Sequence, residues 1–376
     1  MGTIYVVHCI DTEGPLNETI EATFERIERF SGKKLEPTEE NLKKIQNGEM
    51  DLGGKEESAK YVFSERFLRY NRTWDDFDHM LDLLTSEEYR LRYADSNGNG
   101  WKYSWFIVDY VDFLANPRGK ELGYHAIYDH YQTYYHRRHV TGDDFQWHAH
   151  PLSTYKEAHR CAVSYFNSPH ILQSLGRGII DRGFFPACFR PGFHTERPDS
   201  HWLLEQYIPY DYGNQSVALT DLDRSQNDVA DGRFGDWRRA PDTWEPYHPS
   251  HDDYQVKGNC RRVIFRCLNV GTRLRCITQN EVDRAFQRAH GGEDTVLAIT
   301  DHDFRHMGED IDEIYAMIRN AAVRYPDVAW TNSTAYDAAR AIMKASCKPI
   351  HLSCQFSRLE GKDIVVIEAD GDTFGP

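Results

Sequence analysis

The chain is predicted to fold as an α/β protein built on a parallel sheet or barrel. Three observations predict it. Short β-branched and aromatic runs alternate with longer amphipathic stretches over most of the 376 residues. The first such run, Ile4 to Ile10, passes straight into Asp11-Thr12-Glu13-Gly14-Pro15, as strands do where they deliver functional groups at their C-terminal ends. A hydrophobic content of 40% supplies a core large enough for one large domain or two ordinary ones.

The elements follow in order. Ile4 to Ile10 is a strand by its β-branched content. Residues 16–60 are polar and charged, with Gly53-Gly54 near the end, and read as an excursion carrying helical pieces. Residues 73–94 read as one helix, capped by Thr73, with Phe77, Met80, Leu81 and Leu84 at helical spacing. Tyr103 to Val108 is a strand, 121–139 a Tyr- and His-rich helix, and Phe145 to Pro151 an extended segment. Residues 154–182 read as a helix ending near Gly183. Phe184 to Phe189 is a strand that leads into Arg190-Pro191-Gly192, and Trp202 to Gln206 is helical. Residues 213–258 read as loop. Strands at 262–268, 295–300 and 328–330 then alternate with helices at 280–289, 310–324 and 335–344. After Lys348 the pattern changes. Two strands, 350–356 and 364–367, flank the turn Leu359-Glu360-Gly361-Lys362 and read as the start of a small β module. The chain ends before such a module could complete a sheet, so truncation is expected here. The expected organisation is one catalytic barrel over 1–345, including the insertion 16–100, and a partial β module or tail over 346–376.

Composition excludes several classes. A net charge of −15 argues against nucleic acid as the main partner. It also disfavours a polyanionic substrate unless a metal and Arg190 offset the repulsion locally. No apolar run approaches the roughly 20 residues of a membrane helix. Met1 to Val7 lacks the basic and apolar regions of a signal peptide, so a cytoplasmic location is expected. The eight cysteines form no CxxC pair and read as reduced, mostly buried thiols. Oligomeric state is not readable. Eighteen His and an aromatic content of 13% stand out, pointing to metal or proton chemistry and to sugar faces.

Four segments carry candidate chemistry. Asp11 and Glu13 stand two apart, so an extended chain points both the same way. Their mutual repulsion is relieved by a divalent cation; a solvated turn is the plain alternative. His148 and His150 repeat that spacing, and Pro151 keeps His150 extended; two neutral imidazoles so placed can share one metal. Arg190, at a strand end, can orient a carboxylate and keep it ionised. His302, flanked by Asp301 and Asp303, is a candidate general acid whose pKa a neighbouring charge would raise. His306 is a nearby rival. The other His, including His125, His130, His136 and His139, read as structural.

In this order, at successive strand ends, these residues resemble the polysaccharide deacetylase superfamily (NodB homology, carbohydrate esterase family 4). Within it they are similar to the divergent branch linked to bacterial surface-polysaccharide gene clusters. The matching motifs are Asp11/Glu13, His148/His150, Arg190-Pro191 and His302-Asp303, and the likeness covers roughly 3–345. The resemblance implies a distorted (β/α) barrel of about seven strands. It implies one divalent metal, most simply zinc, held by Glu13, His148 and His150, with Asp11 as base, Arg190 positioning it and His302 as acid. The implied activity is removal of an N-acetyl or N-formyl group from a sugar or sugar conjugate. This chain departs from the commoner pattern in spacing its two His by two rather than four and in replacing adjacent Asp-Asp by Asp-x-Glu. The roles of Asp11 and Glu13 are therefore open to exchange. Two other functions compatible with the sequence are an inactive barrel that binds glycans and a metal-dependent hydrolase of another C–N or ester bond. Trp101, Trp105, Trp147, Trp237, Trp244 and Tyr247 are read first as core, with a sugar cleft as the alternative.

Overall fold

The computed structural model describes residues 1–116, 118–151, 156, 165, 168–224, 235–345 and 348–374. Eight strands form one parallel sheet: β1 Thr3–Asp11, β2 Ser104–Asp109, β3 Asp144–Ala149, β4 Cys188–Pro191, β5 Tyr210–Asn214, β6 Val263–Asn269, β7 Thr295–His302 and β8 Ala329–Ser333. Their order is β2-β3-β4-β5-β6-β7-β1-β8, and β1 also pairs with β2. The first seven strands thus close into a barrel and β8 lies outside it. One edge of β1 is shared. Its N-terminal half pairs with β8 (Thr3 opposite Ala329 to Val7 opposite Ser333), and its C-terminal half pairs with β2 (Cys9 opposite Ser104 to Asp11 opposite Phe106). The barrel is therefore sealed by β1 and β2 at the end where Asp11 emerges.

Alternation along each strand sorts side chains between two layers. From β1, Ile4, Val6 and Ile10 join the outer core with Trp105, Ile107, Leu297 and Ile299. Val7 and Cys9 face inward with Phe106, Cys188, Tyr212, Phe265, Cys267 and Ala298. Asp11 continues the inward series. In β3, Trp147 and Ala149 pack outward against Ile171 and Leu175, leaving His148 on the inner face. The helix Ala335–Met343 packs its alanines onto the inner cluster. Its first N–H groups donate to Ser104 Oγ (2.7 Å) and Asp144 Oδ2 (3.1 Å), which begin β2 and β3, so it closes the N-terminal end of the barrel.

The excursion after β1 holds helices Ile20–Ser31, Glu39–Asn47, Glu56–Val62 and Glu65–Leu68 around a small core of their own, including Phe24, Ile27, Phe30, Ile45 and Phe63. The predicted helix 73–94 is two helices, Trp74–Leu84 and Glu87–Arg92. Ser86 is extended and its Oγ accepts the Tyr89 N–H (3.3 Å), so a second N-cap interrupts the apolar periodicity. The helix predicted over 121–139 begins at Ala126, and that predicted over 202–206 spans Pro198–Tyr207. Of the helix predicted over 154–182, His170–Arg182 is present; most of 154–167 lies outside the described residues. The predicted loop at 213–258 overlaps β5, a strand the sequence reading lacked. At the C-terminus, β9 Leu352–Leu359 and β10 Lys362–Ala369 form an antiparallel hairpin. Its turn residues, Glu360 (φ 50°) and Gly361 (φ 78°), both take the left-handed conformation that tight hairpins require. Among the described residues Cys9, Cys188, Cys260 and Cys267 are buried free thiols and Cys354 is exposed; Cys161 and Cys347 lie outside them. No described helix is long and apolar enough to cross a membrane.

Candidate active site

The C-terminal mouth of the barrel collects Asp11, Glu13, His148, His150, Arg190 and His302. Asp11 and His302 end β1 and β7, opposite each other in register. His148 and Arg190 face each other on β3 and β4, and Glu13 and His150 lie just past their strands. Asp11, Glu13, His148, His150 and His302 line one pocket. His306 does not; it borders other cavities, and its Nδ1 accepts the Gly308 N–H (3.2 Å).

Arg190, wholly buried, grips Asp11 with both edges of its fork, Nε to Oδ1 at 2.6 Å and Nη2 to Oδ2 at 3.0 Å. Burial alone would push the Asp11 carboxyl up, but the Arg190 guanidinium and then His148 outweigh it and hold it well below the usual carboxylate range. Arg190 also donates to the Tyr212 carbonyl (2.5 Å), and its Nη2 lies 3.3 Å from His194 Nδ1.

Glu13, His148 and His150 form the second unit, with one ligand atom from each inside a 4.8 Å span and all three buried. His148 Nδ1 donates to the Arg190 carbonyl (2.8 Å), which leaves the Nε2 lone pair free. That Nε2 stands 3.1 Å from His150 Nε2, and His150 Nε2 stands 3.7 Å from Glu13 Oε1. Ligand atoms about 2.0–2.1 Å from a tetrahedral zinc lie about 3.3 Å apart, so these separations bracket a zinc site. Burial lowers the pKa of both imidazoles, keeping them neutral as ligands must be. The donor set fits a divalent cation. Glu13 rather than Asp11 completes the trio, while Asp11 is committed to Arg190.

Two polar partners of Glu13 were not predicted as such. Lys120 donates to its Oε2 (2.5 Å) and to the Tyr110 hydroxyl, and is 5% exposed. It lies 107 residues from Glu13 in a loop without a local signature. Asp303, read as a carboxylate flanking His302, accepts the Glu13 N–H on Oδ1 (2.6 Å) and the Tyr131 hydroxyl on Oδ2 (2.9 Å). His194 was also missed. It and Phe193 are consecutive non-glycine residues with φ near +50°. This strained turn is clamped by Trp237 Nε1 on the His194 carbonyl (2.8 Å) and Gly235 N on the Phe193 carbonyl (3.0 Å).

His302 departs from expectation. Burial lowers its pKa to about 4, outweighing the charges of Asp11 and Glu13, which act in the opposite sense. It is a neutral imidazole at pH 7, and its Nδ1 is buried without a hydrogen-bond partner among the described residues. The tryptophans 101, 105, 147, 237 and 244 and Tyr247 are all core residues. The rings that line the pocket are Phe67, Tyr70, Phe193 and Phe304. His130 is structural, stacked on Trp74 (3.8 Å between centroids) and bonded to Asp78 (2.8 Å).

Fold and site together define a closed parallel seven-stranded (β/α) barrel with a metal-compatible Glu/His/His trio beside an arginine-held aspartate. No family model and no curated protein sequence matches the chain. Among solved structures, one similar chain comes from Parabacteroides distasonis and is described as a candidate glycoside hydrolase/deacetylase. The likeness has a TM-score of 0.42 at 11% identity and covers 94% of this chain and 75% of that one.

Proposed function

We propose that the protein is a metal-dependent hydrolase that removes an N-acyl group, acetyl or formyl, from a sugar or sugar conjugate. The observation that carries this reading is the convergence of Glu13, His148 and His150 beside the Asp11–Arg190 pair in one pocket. Glu13, His148 and His150 would hold one divalent ion, most simply zinc. When bound, such an ion lowers the pKa of a water and polarises the acyl oxygen.

The chain's own groups do the rest. Asp11 is the base, kept ionised by the Arg190 guanidinium, and takes a proton from the attacking water. Arg190 acts through Asp11, fixing its two oxygens and keeping it charged. His302 is neutral at rest, so it relays a proton to the leaving amine only after receiving one; the nearby charges of Asp11 and Glu13 favour that transient charging. Lys120 favours a second reading, a glycan-binding barrel without hydrolysis, because an internal ammonium already neutralises Glu13.

Metal analysis separates the two readings. The purified protein should carry about one divalent ion, lost in the His148→Ala, His150→Ala double variant; retained metal there rejects the assignment. Asp11→Asn should keep the ion yet release amine from N-acetylated or N-formylated sugars on the order of 10²–10⁴ times more slowly. Sugar binding without release of either product would favour the binding barrel.

A further inference from the structure

The pocket that holds the candidate catalytic groups also gathers six cationic side chains, Arg26, Arg118, Lys120, Arg273, Arg275 and Arg305. Among the described residues two carboxylates, Asp11 and Glu13, share its wall. The chain as a whole carries −15, so this positive excess is local and runs against the composition. The cations arrive from separate parts of the chain: the helix Ile20–Ser31, the segment before Ala126, and the loops after β6 and β7. They are not a solvated surface patch, since Arg275 is 8% exposed and Arg305 is 5% exposed.

Arg273 apart, Glu13, Glu18 and Asp301 pair with four of the other five cations and so offset the charge of the five only in part. Glu18 alone faces both Arg26 (2.5 Å) and Arg118 (3.2 Å). Arg305 pairs with Asp301 (3.7 Å) and donates to the Gly271 carbonyl, and Lys120 pairs with Glu13, whereas Arg275 donates to the Gly235 carbonyl (2.9 Å), a bond that satisfies an N–H group without cancelling charge. The Arg118 and Arg305 guanidiniums flank the Phe304 ring at 5.8 and 5.5 Å from its centroid. That ring lies 5.0 Å from the ring of His302. Partly desolvated forked donors next to the reacting end suit an anionic oxygen cluster.

We propose that the substrate is an anionic sugar, bearing a phosphate or carboxylate group that these arginines receive. The inference rests on the hydrolase reading above and names its class of sugar. Calorimetry on the whole chain, both metal-depleted and zinc-loaded, tests it with three probes: N-acetylglucosamine, N-acetylglucosamine 1-phosphate and N-acetylmuramic acid. At least one charged probe should bind about tenfold or more tightly than the neutral sugar, with an advantage that shrinks as NaCl rises. The preferred probe identifies phosphate or carboxylate as the recognised group. Arg118→Gln and Arg273→Gln, each checked for an unchanged circular dichroism spectrum, should each remove about tenfold of the charged probe's affinity and leave the neutral sugar's unchanged. Equal affinity for all three probes overturns the proposal, as does a preference that survives both substitutions. Selective anion binding with no amine released from any probe would reject the hydrolase and retain the anion pocket. Amine release at equal rates and affinities from neutral and charged probes would do the reverse.

Discussion

Asp303 carries two hydrogen bonds that a metal site would feel. It fixes the Glu13 backbone and is itself fixed by Tyr131. Asp303→Ala should weaken zinc binding about 10–100-fold, read by competition with a chelator, because the ligand loses its support while keeping its carboxylate; unchanged affinity would mean the β1 turn holds Glu13 unaided. Asp109, at the end of β2, gives a pH signature. It is buried and accepts from Trp147 Nε1 (2.9 Å), and burial pushes its carboxyl up to about 7, with the Trp147 bond opposing. In the unfolded chain it ionises near 4. Its contribution is therefore fully present below about pH 4 and is lost as pH rises through 7. Asp109→Asn keeps the acceptor and removes the titration. The difference in melting temperature between pH 5 and pH 8 should shrink in that variant; an unchanged difference would show that Asp109 is not strained when charged.

At the scale of the element, the turn after β4 shapes the floor of the site. A Cβ on Gly192 would stand 2.5 Å from His150 Cγ and 2.9 Å from its Cα. Gly192→Ala should therefore displace His150, cost about 1–3 kcal/mol in denaturant titration, and reduce metal content. Normal metal content together with wild-type stability would show that the turn yields freely. Elements were legible where pattern and burial agree. β1 and β3 announce their inward faces through Val7, Cys9, Asp11 and His148, His150, because period two is imposed by the pleat. β5 was not legible. Its sequence Tyr-Asp-Tyr-Gly-Asn lacks β-branched residues, and it is a strand because β4 and β6 flank it and Arg262 pairs with Asp211 inside. The break at Thr85–Ser86 was hidden because the apolar spacing runs toward it unbroken.

Across the whole molecule, the C-terminal hairpin stands apart energetically. Its strands are exposed nearly throughout, with Phe356 at 80%, and no described core cluster includes a residue after Met343. Ending the chain after Ala345 should leave the melting temperature within about 2 °C and the metal content unchanged; a barrel that fails to fold would show that the hairpin supports it. The barrel, by contrast, depends on contacts between distant segments, such as β1 with β7 and the last helix with β2 and β3.

The sequence by itself determined the alternation of strand and helix, the common facing of Asp11 with Glu13 and of His148 with His150, and the grouping of carboxylates, imidazoles and arginine at strand ends. These follow from local periodicity and residue chemistry. Only the tertiary structure decided that Glu13 joins the two imidazoles while Asp11 goes to Arg190, that Lys120 reaches Glu13 from far along the chain, and that His302 is neutral. It also decided that an acidic chain carries a cationic pocket. Each of these depends on burial and on charges brought together by barrel closure, and neither is encoded in the spacing of neighbouring residues.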